Sequence, residues 1–139
     1  MEDTVFSKII RREIPATIVY EDADTLAFLD IAPNVPGHTL VIPKKPFRNI
    51  FDIDEDTLAS VMRTVHKLAP AVRDAVGGKG VHINSNHEPE AGQEVLHLHF
   101  HIIPRHSHAE FEFCWPHKKP YAPGAAEEVA QKIRAEIET

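Results

Sequence analysis

The sequence has a single cysteine, Cys114, so it can form neither an internal disulfide nor a zinc site built from cysteines. It has no apolar run near the ~18 residues that a membrane span needs, and Glu2 and Asp3 make its start acidic where a signal peptide is basic. Its 15 basic residues are outnumbered by 21 acidic ones, and a net charge of -6 disfavours binding to nucleic acid or anionic lipid. We therefore expect a cytoplasmic protein with no nucleic-acid or membrane partner.

Length and composition are those of one folded domain. Hydrophobic residues make up 42% and charged residues 26% of the 139 residues, close to the average of globular proteins. A chain of this length buries about two-thirds of its unfolded surface, so it needs no disulfide or metal to fold. We expect a single domain over residues 1–139. The unusual feature is the presence of ten histidines.

Short apolar and β-branched segments between turns predict a mostly antiparallel sheet. Five segments are predicted as strands: residues 17–20, 26–29, 38–42, 81–84 and 96–103. Three helices are predicted: residues 6–12, residues 54–76 with Asp54 as the cap, and a last helix from about Ala125. Because few connections are long enough for parallel pairing, this order favours an α+β fold.

The most informative segment is His97-Leu98-His99-Phe100-His101-Ile102-Ile103. Side chains alternate along a strand, so the three imidazoles share one face and the intervening apolar residues share the other, where they can pack on a helix. Three neighbouring imidazoles suit nucleophilic catalysis at phosphorus or metal ligation, and a solvated sheet face is the third interpretation. His38 begins a strand that we expect to lie near this row.

A polar loop precedes the histidines, with Gly92 next to the predicted strand. Such a loop can direct amide N–H groups toward an anion such as a phosphate. Asn and Gly also mark ordinary turns, so the loop by itself is a weak signal.

The segment from Ala91 to Ile103 resembles the signature of the histidine triad (HIT) family, in which single apolar residues separate three histidines. The resemblance extends over most of residues 4–106 and leaves residues 107–139 as an aromatic-rich tail with Trp115-Pro116 and a C-terminal helix. It implies a HIT-like α+β fold with a mostly antiparallel sheet, one long helix and one C-terminal helix. It also implies a homodimer, with the long helix and a sheet edge at the interface.

Members of the HIT family are hydrolases and transferases that act at the α-phosphorus of nucleotides. The resemblance implies that His99 is the nucleophile, which forms a covalent nucleotidyl-histidine while a backbone carbonyl holds its other ring nitrogen. It assigns His101 to the phosphoryl oxygens, His97 to positioning of the phosphate or the strand, and His38 to support of the row. A purine nucleoside phosphoramidase is the implied activity, dinucleoside polyphosphate hydrolysis is the alternative, and no cofactor is implied.

The resemblance also implies a nucleotide-binding set. Asp30 matches an acidic residue that accepts from the ribose hydroxyls, whereas Asn86 and Gly92 match groups that donate to the phosphate. The apolar cleft around the base is implied to consist of Phe6, Ile9, Ile14, Phe28 and Ile31.

The sequence departs from the family pattern in two places. Some bacterial members hold a structural zinc through a Cys-x-x-Cys pair and histidines, but Thr4 and Ser7 stand at the cysteine positions and Pro46 at a histidine position. We therefore expect no structural zinc. Glu94 stands where some members carry a hydroxyl that donates to the leaving group, which makes it a candidate leaving-group contact.

Two further interpretations of the histidines stay open. A His-x-His pair on a strand can place two ligands on one metal ion, with His101 or His38 as a third. A nucleotide-binding protein with little turnover is the other.

Overall fold

The computed structural model describes residues 3–33, 35–108 and 120–138. Five strands are present: β1 Ile18–Glu21, β2 Thr25–Leu29, β3 Thr39–Pro43, β4 Gly80–Asn84 and β5 Phe100–Arg105. The α-helices are α1 Val5–Ile10, α2 Glu55–Ala75 and α3 Ala125–Glu138, and Pro89–Ala91 form a short 3-10 helix. Residues 109–119 of the tail, including Trp115-Pro116, lie outside the described residues.

The strands form one sheet in the order β1-β2-β3-β5-β4. Every neighbouring pair is antiparallel, and β1 and β2 form the predicted hairpin. The α+β fold with an antiparallel sheet is therefore confirmed. The register places Leu40 of β3 and Asn84 of β4 opposite His101 of β5, so the third histidine lies on an interior strand, paired on both sides.

The sheet separates two apolar layers. On one face, α2 and α3 pack through Val65, Leu68 and Ile133 against sheet residues such as Val41. On the other face, α1 packs through Phe6 and Ile9 against β2 and β3. The predicted cap of α2 is present, since the Asp54 carboxylate accepts from the Thr57 N–H at 2.9 Å. Within the described ranges, no helix is both long and apolar enough to cross a membrane.

The predicted strand over residues 96–103 was wrong at both ends. The strand begins at Phe100, so the first two histidines precede it in an irregular segment. The segment leaves the ladder because the Leu98 N–H donates to the Phe47 carbonyl at 2.8 Å, outside the sheet. At the other end, β5 continues through Pro104 to Arg105 because β4 still pairs with it there.

Candidate active site

The three histidines line up on one face in spite of the break in the strand. The rings of His99 and His101 have centroids 4.9 Å apart, and the Phe6 ring lies against His99 at 5.0 Å and against His97 at 6.1 Å. The intervening residues Leu98, Phe100 and Ile102 pack into the core beside α2. The predicted alternation of faces is therefore confirmed.

His99 is a buried histidine held in one tautomer. Its Nδ1 lies 2.7 Å from the His97 carbonyl oxygen, and since a carbonyl only accepts, Nδ1 carries the proton. Burial lowers the pKa of His99 below its usual value, although the charges of Asp30 and Glu94 oppose this effect. The ring is therefore neutral at pH 7, with a lone pair on Nε2. The expected backbone partner is present.

His97 is fully buried and tied to the end of β3. Its Nε2 donates to the Pro43 carbonyl at 2.9 Å, and burial lowers its pKa, so the ring is neutral. Its Nδ1 is buried with no hydrogen-bond partner among the described residues. This arrangement fastens the segment that carries His99 to the sheet.

Asp30, His38 and His101 form a third group at the other end of the row. His38 Nε2 lies 2.8 Å from His101 Nδ1, and His38 Nδ1 lies 3.8 Å from an Asp30 carboxylate oxygen. One ligand atom from each residue lies within 4.8 Å of the others, a spacing that a metal ion could bridge. Two nitrogens on a tetrahedral zinc stand about 3.3 Å apart, however. The 2.8 Å contact is that of a hydrogen bond, so this conformation fits a shared proton better than a metal.

Asn86 and Gly92, the two residues expected at the phosphate, are neighbours in space. The Asn86 amide donates to the Gly92 carbonyl at 3.3 Å. Gly92 has a φ of +90°, a conformation that a residue with a side chain adopts only at a cost. A Cβ at this position would also lie 3.4 Å from the Asn86 amide nitrogen. The loop thus uses glycine to fold back beside the histidines.

Four of the five residues expected around the base lie in one cluster: Phe6, Ile9, Ile14 and Phe28. Ile31 is separate from it, 87% exposed and next to Asp30 in the chain. The Asp30 carboxylate is half-buried and accepts from the Ala32 N–H at 2.9 Å. The apolar cluster and Asp30 therefore flank the row on the α1 side of the sheet.

Glu94 is exposed and lines an open groove of about 620 Å³. The other residues that line the groove are Asp3, Thr4, Val5, Arg48, Val95 and Leu96. Thr4 and Val5 adjoin Phe6, whose ring contacts His99, so the groove opens beside the row. This position is compatible with the leaving-group contact expected of Glu94.

The matching family model is the HIT domain, over residues 11–108. The chain is a member of the HIT family. A HIT-like protein of Bartonella henselae, described as involved in cell-cycle regulation, is 45% identical with a TM-score of 0.86, over 96% of each chain. A protein of Sulfolobus tokodaii, described as a hypothetical histidine triad nucleotide-binding protein, is 37% identical with a TM-score of 0.87, over 96% of this chain and 91% of that one.

A third HIT structure, from Mycobacterium smegmatis, is described as zinc-bound. It is 32% identical with a TM-score of 0.85, over 96% of this chain and 92% of that one. In the present HIT chain, the Thr4 and Ser7 hydroxyls form a capping box at the start of α1. Their oxygens lie 3.4 Å apart, and each also accepts from the backbone N–H of the other residue. Neutral hydroxyls of this kind are poor ligands for zinc.

Sequence reasoning missed the residues that anchor the polar loop before the histidines. The buried Gln93 accepts from the Glu88 N–H at 2.7 Å and donates to the Arg48 carbonyl at 2.6 Å. Asn49 donates to the Gln93 side-chain oxygen at 3.1 Å, and the Ile50 N–H donates to His87 Nδ1 at 2.9 Å. The only local signal was a glutamine directly after Gly92, four residues before His97.

Proposed function

We propose that the protein hydrolyses purine nucleoside phosphoramidates at the α-phosphate, through a covalent intermediate on His99. The observation that carries this proposal is the state of the His99 ring. Its Nδ1 proton is committed to a carbonyl and burial keeps the ring neutral, so Nε2 keeps its lone pair for attack. The name of the Sulfolobus tokodaii relative, a nucleotide-binding protein, supports a nucleotide as the substrate.

The reaction has two steps. In the first, the His99 Nε2 lone pair forms a bond to the α-phosphorus and the bond from phosphorus to the leaving amine breaks. The amine takes that electron pair and receives a proton from protonated His101, the same residue that donates to the phosphoryl oxygens. In the second, water attacks the same phosphorus, its proton returns to His101, and the N–P bond breaks with its electrons returning to His99. The products are the amine and a nucleoside monophosphate.

The remaining residues of the site position the nucleotide. Asp30 accepts from the ribose hydroxyls, while Asn86 and the Gly92 amide contact the phosphate oxygens. The cluster that contains Phe6 and Phe28, whose ring centroids are 5.4 Å apart, holds the base by apolar contact. His97 positions the nucleophile through its bond to Pro43 rather than touching the reacting atoms.

A kinetic panel tests the proposed activity. Purified protein is given an adenosine phosphoramidate and, separately, a diadenosine polyphosphate, and the products are separated by chromatography. We expect faster release of adenosine monophosphate and free amine from the phosphoramidate. Faster cleavage of the polyphosphate would favour the alternative hydrolase, and monophosphate binding without turnover of either compound would leave a binding protein.

We also propose that the protein is a homodimer that joins through β4 and α2. β4 ends the sheet, and Ile83 on it is 41% exposed, while Met62 on α2 is 40% exposed. The opposite edge is different, because the Arg134 guanidinium of α3 donates to the Ile18 carbonyl of β1 at 2.7 Å. Sedimentation of wild type and Ile83→Asp tests this proposal, and a monomeric wild type would reject it.

A further inference from the structure

We propose that Arg105 forms a second anion site, on the face of the sheet that carries the histidines, and that its ligand is a phosphoryl oxyanion. The site goes beyond the proposed function, because it requires binding and no turnover. Two sources offer this chemistry, free inorganic phosphate and the distal phosphoryl group of a nucleotide, and one experiment separates them.

The Arg105 guanidinium is a buried positive charge with no ion-pair partner among the described residues. The residue is only 9% exposed, and its Nε and Nη2 atoms are buried without a hydrogen-bond partner in that part of the chain. A guanidinium stays charged at physiological pH, so it does not avoid the cost of burial by losing its proton. Because a buried, unpaired charge is costly, an anion that accepts from these N–H groups would stabilise the site.

The two nitrogens form the edge of a guanidinium that binds oxyanions in pairs. Arg48 uses the same edge in this chain, since its Nε and Nη2 donate to the two oxygens of the Glu88 carboxylate at 2.8 and 3.0 Å. No described carboxylate occupies the corresponding edge of Arg105. A phosphoryl group offers the same pair of acceptor oxygens, so it fits this edge.

The charges on the two strands beside Arg105 also favour an anion. Neither β4 nor β5 contains an acidic residue, although the chain as a whole has a net charge of -6. His101 and Arg105 lie on the same face of β5, because they are four positions apart on one strand. No carboxylate of either strand therefore competes with a ligand for the guanidinium.

Space for a ligand lies on the β4 side of Arg105. Gly80 is the residue opposite Arg105 in the β4–β5 register, so a side chain there would point to the same face. A Cβ built at Gly80 meets no atom within 4 Å in the described part of the chain. The backbone of Gly80 is also not in the left-handed region, so the position accepts a larger residue. The glycine thus leaves room beside the guanidinium.

The site is separate from the proposed contact with the α-phosphate. Arg105 lies four residues beyond His101, or about 13 Å along the strand. A free phosphate can therefore bind at Arg105 while a nucleoside monophosphate occupies the histidine row. A nucleotide reaches Arg105 only through further phosphoryl groups beyond the first.

Calorimetry with inorganic phosphate tests the site, on protein already saturated with adenosine monophosphate. Arg105→Gln removes the charge, whereas Gly80→Val keeps it and fills the space beside it. The control Arg63→Gln removes an exposed guanidinium of α2 that contacts Ser60. We expect phosphate to bind wild type and the control equally, and at least tenfold more weakly to the other two variants. Circular dichroism checks that each variant is folded.

A site-specific signal makes the result independent of nucleotide binding. The Arg105 Nε–H resonance is assigned by its loss in Arg105→Gln, and it should shift when phosphate is added to wild type but not to Gly80→Val. No phosphate binding by wild type, or undiminished binding by folded Arg105→Gln or Gly80→Val, would reject the site. Because turnover is not measured, failure of the proposed hydrolase activity would not alter this result.

A second titration identifies the source of the phosphoryl group. Phosphate affinity is measured with adenosine monophosphate or adenosine tetraphosphate bound, in a His99→Ala background that prevents turnover. If the site holds free phosphate, the affinity should be the same with either nucleotide. If it holds a distal phosphoryl group, the tetraphosphate should displace phosphate and bind at least tenfold more tightly than the monophosphate. That advantage should disappear when Arg105→Gln is added.

Discussion

His99 donates its Nδ1 proton to the backbone carbonyl of His97, two residues earlier in the chain, over 2.7 Å. The acceptor belongs to the main chain, so a substitution of the His97 side chain does not remove it. Only a change in the path of the backbone would. The His97 ring in turn donates to the Pro43 carbonyl. The contact between His97 and β3 therefore also helps to hold the acceptor of His99 in place. The orientation of the His99 ring thus depends on how the irregular segment before β5 is held.

Removal of the proposed nucleophile should abolish the proposed covalent route. His99→Ala should lower turnover of an adenosine phosphoramidate by at least ~10³-fold, because water alone must then attack. His101→Ala removes one donor and should cost about 10²–10³-fold, and His97→Ala should be the mildest of the three. Steady-state kinetics on the three variants measures the order.

The exposed His66 of α2 provides a matched control, since His66→Ala should keep wild-type turnover. Mass spectrometry after rapid quenching without acid should detect a nucleotidyl adduct on wild type and none on His99→Ala. A dead His97→Ala beside an active His99→Ala would show that the roles are assigned to the wrong histidines.

Loss of the whole Asp30 side chain should weaken nucleotide binding. Asp30→Ala removes the proposed charge-assisted hydrogen bond to the ribose, which would be worth about 1.5–3 kcal/mol, or roughly 10- to 150-fold in affinity. Titration calorimetry with adenosine monophosphate measures the change, with Asp24→Ala as the control. Unchanged affinity would mean that Asp30 makes no ribose contact.

Stability should fall as the pH is lowered below about 6.5. Burial lowers the pKa of His87, His97 and His99 in the folded state, so the unfolded chain binds more protons between the lowered values and the ordinary value of 6.5. The stabilisation is present above 6.5 and is lost as the pH falls through that window. Urea unfolding at pH 7.5, 6.5 and 5.5 measures the free energy of unfolding. His87→Gln removes one of the three groups, so its pH dependence should be weaker than that of wild type, and an equal dependence would exclude His87.

Gln93 should matter both for stability and for the polar loop before the histidines, which is proposed to contact the phosphate. Gln93→Ala leaves the Glu88 N–H and the Arg48 carbonyl without their side-chain partner, which should cost about 2–4 kcal/mol of unfolding free energy. KM should rise, because the loop that carries Asn86 and Gly92 loses its anchor. Thermal unfolding and kinetics check both effects, with the exposed Gln131→Ala as the control. A stable variant with normal KM would show that Arg48, Asn49 and Glu88 hold the loop without Gln93.

Activity should survive metal removal. The Thr4 and Ser7 hydroxyls are occupied with capping α1, and the His38–His101 contact has the length of a hydrogen bond. Treatment with EDTA should therefore leave turnover unchanged, and elemental analysis should find well under one zinc per chain. A full equivalent of tightly held zinc, with activity lost on its removal, would instead assign Asp30, His38 and His101 to a metal site.

Local patterns were sufficient to predict much of the fold. Polar and apolar residues alternate over residues 97–103, and this pattern predicted that the imidazoles lie on one face and the intervening apolar side chains in the core. The prediction needs no tertiary information, because successive side chains in extended backbone point to opposite faces. The Asp54 cap and the apolar period of α2 depend on contacts within a few residues, and both were predicted. The functional assignment of the histidines came from the resemblance to the HIT family, and the geometry is compatible with it.

What the sequence by itself determined was therefore the set of elements and the face on which the histidines lie. The tertiary structure decided which groups became partners. Asp30, His38 and His101 meet only because β2, β3 and β5 are neighbours in one register, and Gln93 reaches Asn49 across 44 positions of sequence. The early end of the strand likewise depends on the distant Phe47 carbonyl. Hydrogen bonds of this kind are chosen by the packing of whole elements, and no local pattern of residues contains that information.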